Sequence, residues 1–236
     1  MKITLLFLSF FLSLSLFGQN VMIPDANFKA YLLGNSLINT NGDAEIQFSE
    51  ANAFEGSISC NDIGISDLTG IEAFTTLNIL ICSGNQLTSL DVKQNTALTL
   101  LHCSDNQLIT LDVSYNPNLT YLFCFDNQLT CLNLTNGYNS EFNNMWADGN
   151  PNLTCIEVDD INYATANWTE IDPQTSFSEN CNNDCSAATA TTTELTSSKN
   201  LIQILDLMGR ETAFRPNTPL IYVYDDGSTE IVFTIE

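Results

Sequence analysis

Residues 77–139 read LNILICSGNQLTSLDVKQNTA, LTLLHCSDNQLITLDVSYNPN and LTYLFCFDNQLTCLNLTNGYN, three consecutive segments of 21 residues that share one pattern. The pattern places Leu, Leu, Cys, Asn and Leu at fixed offsets, first as Leu77, Leu80, Cys82, Asn85 and Leu87. Self-similarity at a short fixed period is typical of a solenoid, in which each unit buries its apolar face only against its neighbours. The segment therefore predicts a column of stacked rungs and excludes most enzyme folds.

Each segment has two halves, and both alternate apolar and polar residues as short strands do. In the first copy the second half carries Leu87, Leu90 and Val92 and is followed by Asn95. An Asn after a strand can satisfy backbone groups at the turn and stack on its equivalent in the next rung. Two strands and two turns within 21 residues leave room for little helix.

The pattern Leu-x-x-Leu-x-Cys-x-x-Asn-x-Leu resembles the leucine-rich repeat family. The regular Cys at a 21-residue period resembles the cysteine-ladder variety found in internalin-like bacterial surface proteins. The resemblance implies a leucine-rich repeat solenoid of parallel β strands with little helix, together with binding to proteins or glycans and no catalysis. We add to this fold a short helical N-terminal cap and a small all-β C-terminal domain.

The ends of the chain differ from the repeats. Residues 1–18 have the basic start and apolar middle of a secretory signal peptide, and the apolar run is too short to span a bilayer comfortably. Leu205–Glu211 followed by Leu220–Tyr224 resembles the C-terminal sorting domain of type IX secretion cargo in Bacteroidota, although the upstream Tyr-Pro-Asn-Pro strand is missing. The predicted organisation is a signal peptide (1–18), a helical N-terminal cap (19–57), leucine-rich repeats (58–157), a C-terminal cap (158–185), a linker (186–198) and a sorting domain (199–236).

The charge balance limits the classes of partner. The chain has 28 acidic and 6 basic residues and a formal net charge of −22. Nucleic acids and anionic membrane surfaces are bound through Lys and Arg, so this composition disfavours both. We expect a protein that is secreted or held at the outer cell surface, with an extracellular protein or glycan and the type IX secretion machinery as partners, no nucleic acid and no membrane insertion.

The outward positions of the first half-rungs form an apolar and increasingly aromatic surface. Ser83, Ser104 and Met145 are predicted to border or extend it. A contiguous apolar patch of this kind on a soluble protein marks an interaction site, so we predict that it binds the ligand. A capping segment, the tail or a second protomer covering the same surface is the alternative. We call this surface the aromatic face; its residues are Ile79, Ile81, Leu100, His102, Tyr121, Phe123, Phe125 and Trp146.

The segment from Asn39 to Glu50 resembles an EF-hand calcium loop. Asn replaces Asp at the first ligand position, and Ala44 stands where Gly is usual. Any calcium binding is therefore expected to be weak, in the range of about 10⁻⁴ to 10⁻³ M, and no other cofactor is expected. The alternative is a polar turn between two capping helices. The candidate ligands are Asn39, Asn41, Asp43, Glu45, Gln47 and Glu50.

The cysteines divide into two groups. Cys60, Cys82, Cys103 and Cys124 fall at one height of successive rungs, and side-by-side positions on parallel strands suit a disulfide poorly, so we predict buried thiols. The other four lie towards the C-terminal end. There we expect a disulfide between Cys155 and Cys181 that seals the last rung, while Cys131 and Cys185 pair or stay free. Zinc is disfavoured because paired Cys-x-x-Cys motifs with a nearby His are missing.

Catalysis has little support in the sequence. The single His lies on the aromatic face, and the usual hydrolase and nucleotide-binding motifs are missing. We therefore expect a non-enzymatic protein that binds an extracellular protein or glycan through the aromatic face. The alternatives are a structural or adhesive surface protein that self-associates, with or without calcium, and a carbohydrate-active enzyme.

Overall fold

The computed structural model describes residues 20–182, 185, 201–205, 212, 220–224 and 229–232. The chain divides into two compact units, residues 1–189 and residues 190–236. The predicted signal peptide (1–18) and linker (186–198) lie outside the described residues, as does much of the predicted sorting domain (199–236). The repeats and the segments that flank them belong to the first unit.

Two short helices precede the repeats. Helix α1, Ala26–Leu33, begins after Asp25, whose carboxylate accepts hydrogen bonds from the backbone N–H groups of Asn27 (2.9 Å) and Phe28 (3.0 Å). Helix α2, Phe48–Ala53, begins with a capping box between Gln47 and Glu50. Phe28 and Leu32 of α1 are buried in the same core as the repeats.

The first half-rungs form a five-stranded parallel sheet, and the central residue of every strand is buried. The first strand, Ser57–Ser59, is also bonded at its outer side, because Ser59 N–H donates to the Tyr31 hydroxyl (2.9 Å). The strands of this five-stranded sheet are β1 (Ser57–Ser59), β2 (Ile79–Ile81), β3 (Leu100–His102), β5 (Tyr121–Phe123) and β7 (Asn144–Trp146). The repeat therefore sets both the spacing of the strands and their register.

The second half-rungs form a four-stranded parallel sheet that starts one rung later than the sequence predicts. Residues 89–91 are not a strand and Leu90 is only half-buried, so the strand prediction is wrong for this half-rung. The second half of the preceding rung also forms no strand, because Gly70 has a φ of 105° and the 3₁₀ turn Ile71–Ala73 follows. The strands are β4 (Thr110–Asp112), β6 (Cys131–Asn133), β8 (Cys155–Glu157) and β9 (Ser176–Ser178).

Buried Asn side chains connect each rung to the next. The amide of Asn127 donates to the carbonyls of Cys124 (3.2 Å) in its own rung and Cys103 (3.0 Å) in the previous one. Its side-chain oxygen accepts the backbone N–H of Leu108 (2.9 Å). Because these groups are buried, the amide satisfies backbone polar groups that water cannot reach. The same arrangement recurs at Asn85, Asn106 and Asn150.

A helix and two disulfides follow the repeats. Helix α3, Ile161–Asn167, begins after Asp160 and leads to the buried Trp168. Cys155 is joined to Cys181, and Cys131 is joined to Cys185. The first bond is the pair named from the sequence, and the second settles a pairing that the sequence left open.

The second unit contains an antiparallel sheet in the order β10 (Leu201–Leu205), β11 (Leu220–Tyr224) and β12 (Thr229–Val232). Consecutive strands are neighbours in the sheet, so the described part of this unit is a meander.

Replacing Asn127 by Ala is expected to lower the free energy of unfolding by about 3 kcal/mol, because it leaves one buried N–H and its carbonyl partners without a hydrogen bond. Urea unfolding followed by Trp fluorescence measures this. The control is Gln128→Ala at the exposed neighbouring position, for which a change below about 0.5 kcal/mol is expected. Equal stability of the two variants would contradict the role given to the Asn side chains.

Candidate functional site

The register of the first sheet places the aromatic face in rows across the strands. Ile79, Leu100 and Tyr121 are paired along one row. The next row runs Ile81, His102, Phe123 and Trp146. Seven of the eight predicted residues are therefore brought to one side of one sheet, and Phe125, which follows the Tyr121–Phe123 strand, joins them through its ring contacts. All are half-buried except Trp146, which is 41% exposed.

Four rings of the aromatic face form a closed cluster. His102 lies 5.3 Å from Phe123 and 5.9 Å from Phe125, measured between ring centroids. Trp146 lies 5.4 Å from Phe123 and 6.1 Å from Phe125. Two of these contacts are edge-to-face, an arrangement that aromatic pairs favour. Each ring touches two others, so the rings hold one another in place.

Two residues predicted to border the aromatic face point elsewhere. Met145 is the central residue of β7, pairs with Leu122 and is buried in the core, so it does not extend the surface. Ser104 was expected to face outward but is fully buried. Its hydroxyl lies 2.7 Å from Nε2 of His102, one ring of the cluster.

His102, Ser104 and Asp105 are connected by hydrogen bonds, but in a different order from the residues of a catalytic triad. The Ser104 hydroxyl lies 3.2 Å from Oδ2 of Asp105, to which it donates, and 2.7 Å from Nε2 of His102, where the ring tautomer decides which atom donates. In a triad the carboxylate orients the imidazole and the imidazole takes the proton of the serine. Here the carboxylate accepts from a fully buried serine instead of from the imidazole. The hydrogen bonds among these three residues are therefore not ordered as in a triad.

Burial and charge act in opposite directions on His102. Burial lowers its pKa below the usual value of 6.5, and the negative charge of Asp105 opposes part of this effect. The ring is therefore neutral at pH 7 and belongs to the apolar surface.

An acidic border runs along one edge of the aromatic face, and sequence reasoning missed it. Its members are exposed and follow the strands of the first sheet. The signal that could have found it is the Asp two residues after the Cys in three of the rungs. We call these residues the acidic border; they are Asp62, Asp105, Asp126 and Asp148.

The structure brings the predicted calcium ligands into one loop, where their oxygens already accept hydrogen bonds. Asp43 accepts from Glu45 N–H (2.8 Å) and from the Gln47 amide (3.1 Å). Glu50 accepts from the N–H groups of Thr40 (2.9 Å) and Asn41 (3.2 Å). The Asn39 oxygen accepts the N–H of Gly42 (3.0 Å). Calcium binding by this loop stays a prediction.

The cysteine column is buried and free. Burial raises the pKa of Cys60 and of Cys103 to about 12, and that of Cys82 and Cys124 well above 9.0. Four thiols that stay protonated at neutral pH act as small apolar side chains. Among the described residues, no group of three or more His, Cys, Asp or Glu side chains is arranged to hold a metal ion.

The other side of the column is polar. Lys93 lies there, 3.8 Å from Asp112 and 5.6 Å from the centroid of the exposed Tyr115 ring. A groove beside Leu90 is lined by acidic and apolar side chains, including Asp67, Glu72 and Asp91. In the described parts of the chain, no helix has the length and hydropathy needed to cross a bilayer.

A scan against known protein families finds no match. Over 40 residues the chain is 50% identical to internalin J of Listeria monocytogenes serotype 4b (strain F2365), which amounts to 17% of this chain and 4% of that protein. Over this stretch the chain resembles an internalin. The chain thus spans a small part of the curated relative that it matches.

Solved structures of internalins are also similar. The functional domain of InlJ from Listeria monocytogenes, which includes a cysteine ladder, matches with a TM-score of 0.43 and 21% identity over 68% of this chain and 48% of that chain. Internalin InlF of the same species, strain 4b F2365, matches with a TM-score of 0.45 and 16% identity over 66% of this chain and 58% of that one. The described rungs of this chain have the features expected of an internalin-like leucine-rich repeat, namely in-register parallel strands, little helix and a buried cysteine column.

We expect the single His of the chain to titrate below pH 6.5, because folding buries the neutral ring. As the pH falls, the unfolded chain takes up the proton first. The stability that the neutral ring contributes is therefore present above pH 6.5 and is lost as the pH falls through the lower folded pKa. Proton NMR of the imidazole in protein without a histidine tag measures the midpoint. A midpoint at or above 6.5 would contradict the burial of His102 in the ring cluster.

Proposed function

We propose that this chain is a secreted or cell-surface leucine-rich repeat protein, without enzymatic activity, that binds an extracellular protein or glycan through the aromatic face. The observation that carries the proposal is the cluster of His102, Phe123, Phe125 and Trp146 on one side of a rigid sheet. Clusters of Trp and other aromatic residues dominate the binding energy of protein interfaces. Because the rings are fixed by mutual contact, little side-chain entropy is lost on binding.

The location and export route belong to the same proposal. Residues 1–18 would direct the chain out of the cytoplasm, and residues 199–236 would be read by the type IX secretion machinery. Both parts are supported by the sequence resemblance described above. The buried thiols and the two disulfides suit an extracytoplasmic chain whose reactive cysteines are all paired.

Trp146→Ala tests the proposal, since Trp146 is the most exposed ring of the cluster. The purified chain without residues 1–18 is screened against arrays of extracellular proteins and glycans, with and without calcium. Relative to the parent, we expect Trp146→Ala to weaken binding to the selected ligand at least about tenfold. Tyr115→Ala is the matched control, because Tyr115 is 58% exposed on the other side of the column, and its affinity should stay within about twofold.

Other outcomes would favour the alternatives. Equal effects of the two variants would mean that the aromatic face is not the binding surface. A parent that binds nothing but dimerises, with Trp146→Ala monomeric, would make the surface a self-association site. Turnover of a glycan on the array would favour a carbohydrate-active enzyme.

A further inference from the structure

The two long edges of the aromatic face differ in charge. Asn78, Thr99, Thr120 and Asn143 precede the strands and form a neutral edge, where the Thr99 and Thr120 hydroxyls donate to carbonyls of the preceding rungs. The opposite edge is the acidic border defined above. The surface thus changes, across the width of one sheet, from neutral polar groups through aromatic rings to carboxylates.

The acidic border occupies backbone positions that favour glycine. Asp62, Asp105 and Asp126 have φ values of 56°, 55° and 50°. The equivalent turns of two other rungs carry Gly84 (φ 65°) and Gly149 (φ 69°). An L residue in this conformation costs roughly 1 kcal/mol or more, a penalty that Asp and Asn reduce by local hydrogen bonding. Each of these three turns therefore carries a carboxylate at a position where glycine would be unstrained.

No cation of the repeat unit neutralises this border in the part of the chain that the structure describes. Between residues 20 and 182 the sequence contains two basic residues, Lys29 and Lys93. Lys29 is paired with Glu45 at 2.8 Å, next to the N-terminal helices. Lys93 lies with the second sheet, near Asp112. The carboxylates beside the rings thus face solvent without a cationic partner from these residues.

We propose that the aromatic face and the acidic border together bind a basic segment of an extracellular protein. Lys or Arg side chains of the partner would place their charged ends on Asp105, Asp126 and Asp148 and their apolar stems on Phe125 and Trp146. This inference rests on the proposed function and names the chemistry of its ligand. An ammonium or guanidinium group beside these carboxylates forms a charge-assisted ion pair, while its apolar stem is buried against the rings.

The geometry of the rings disfavours a glycan. A sugar stacks on an open ring face, but the Phe123 ring meets His102 and Trp146 edge-to-face, and both phenylalanine rings are half-buried. A second copy of the chain is disfavoured by charge, since each copy carries a net charge of −22 and would repel the other. A cationic protein surface is complementary in both charge and apolar contact.

The test is selection of random dodecapeptides displayed on phage against the immobilised chain without residues 1–18, followed by calorimetry with the selected peptides. We expect the selected peptides to be enriched in Lys and Arg next to apolar residues, and their binding to weaken as salt is raised. The double variant Asp105→Asn/Asp126→Asn should weaken binding about tenfold, because it removes two ion pairs at the edge of the interface. Asn tolerates the same backbone conformation, so the turns should be retained.

The matched control is Asp91→Asn/Asp112→Asn, which removes the same charge from the other side of the column. Both side chains accept backbone N–H bonds that Asn can also accept, and the affinity should change less than about twofold. Equal losses in the two double variants would mean that net charge alone attracts the peptides, which overturns the inference. Failure to select peptides, or selection of peptides without basic residues, also overturns it.

Trp146→Ala distinguishes a failure of the inference about basic segments from a failure of the proposed function. If the peptides lose affinity with Trp146→Ala but not with Asp105→Asn/Asp126→Asn, the aromatic face still binds a protein and the inference about basic segments is wrong. If neither variant changes binding, both proposals fail.

Discussion

The structure depends on buried Asn amides that join one rung to the next. Each amide satisfies backbone groups of two rungs at once, so the rungs can stack only with these residues aligned. Burial of the apolar column stabilises the stack but does not fix how the rungs align. The hydrogen bonds of the amides are directional, so they do fix the alignment. Because the strands lie about 4.7–4.9 Å apart, alignment of the amides also aligns every outward side chain.

The aromatic face follows from that alignment. His102, Phe123 and Trp146 belong to different rungs and come into contact because the register pairs them directly. The register is kept although residues 139–141 form an extra 3₁₀ turn before β7. The turn absorbs the additional residues at the edge of the column, so the sheet, and with it the ring cluster, stays regular. The acidic border lies in the turns that follow the strands of this sheet, and the rung that carries Gly84 contributes no residue to it.

Much of this architecture could be predicted from the repeat, because period and alternation fix which residues point inward. The failures occurred where a rung departs from the pattern. Met145 takes the place of a core Leu, and Leu90 lies in a half-rung that forms no strand. Ser104 has the sequence position of an outward residue but is buried, with its hydroxyl bonded to His102 and Asp105. Ring contacts depend on side-chain rotamers, which a repeat does not specify.

The most direct test of the account is the deletion of one rung, residues 98–118, which joins Ala97 to Leu119. If each rung contacts only its neighbours and the Asn alignment sets the register, the shortened chain should unfold in one cooperative transition with the far-ultraviolet circular dichroism of parallel strands. A variant that lacks residues 98–120, and so also loses the buried Leu119 and its neighbour Thr120, should not fold. Loss of cooperative unfolding in the first variant, or equal folding of both, would contradict the account.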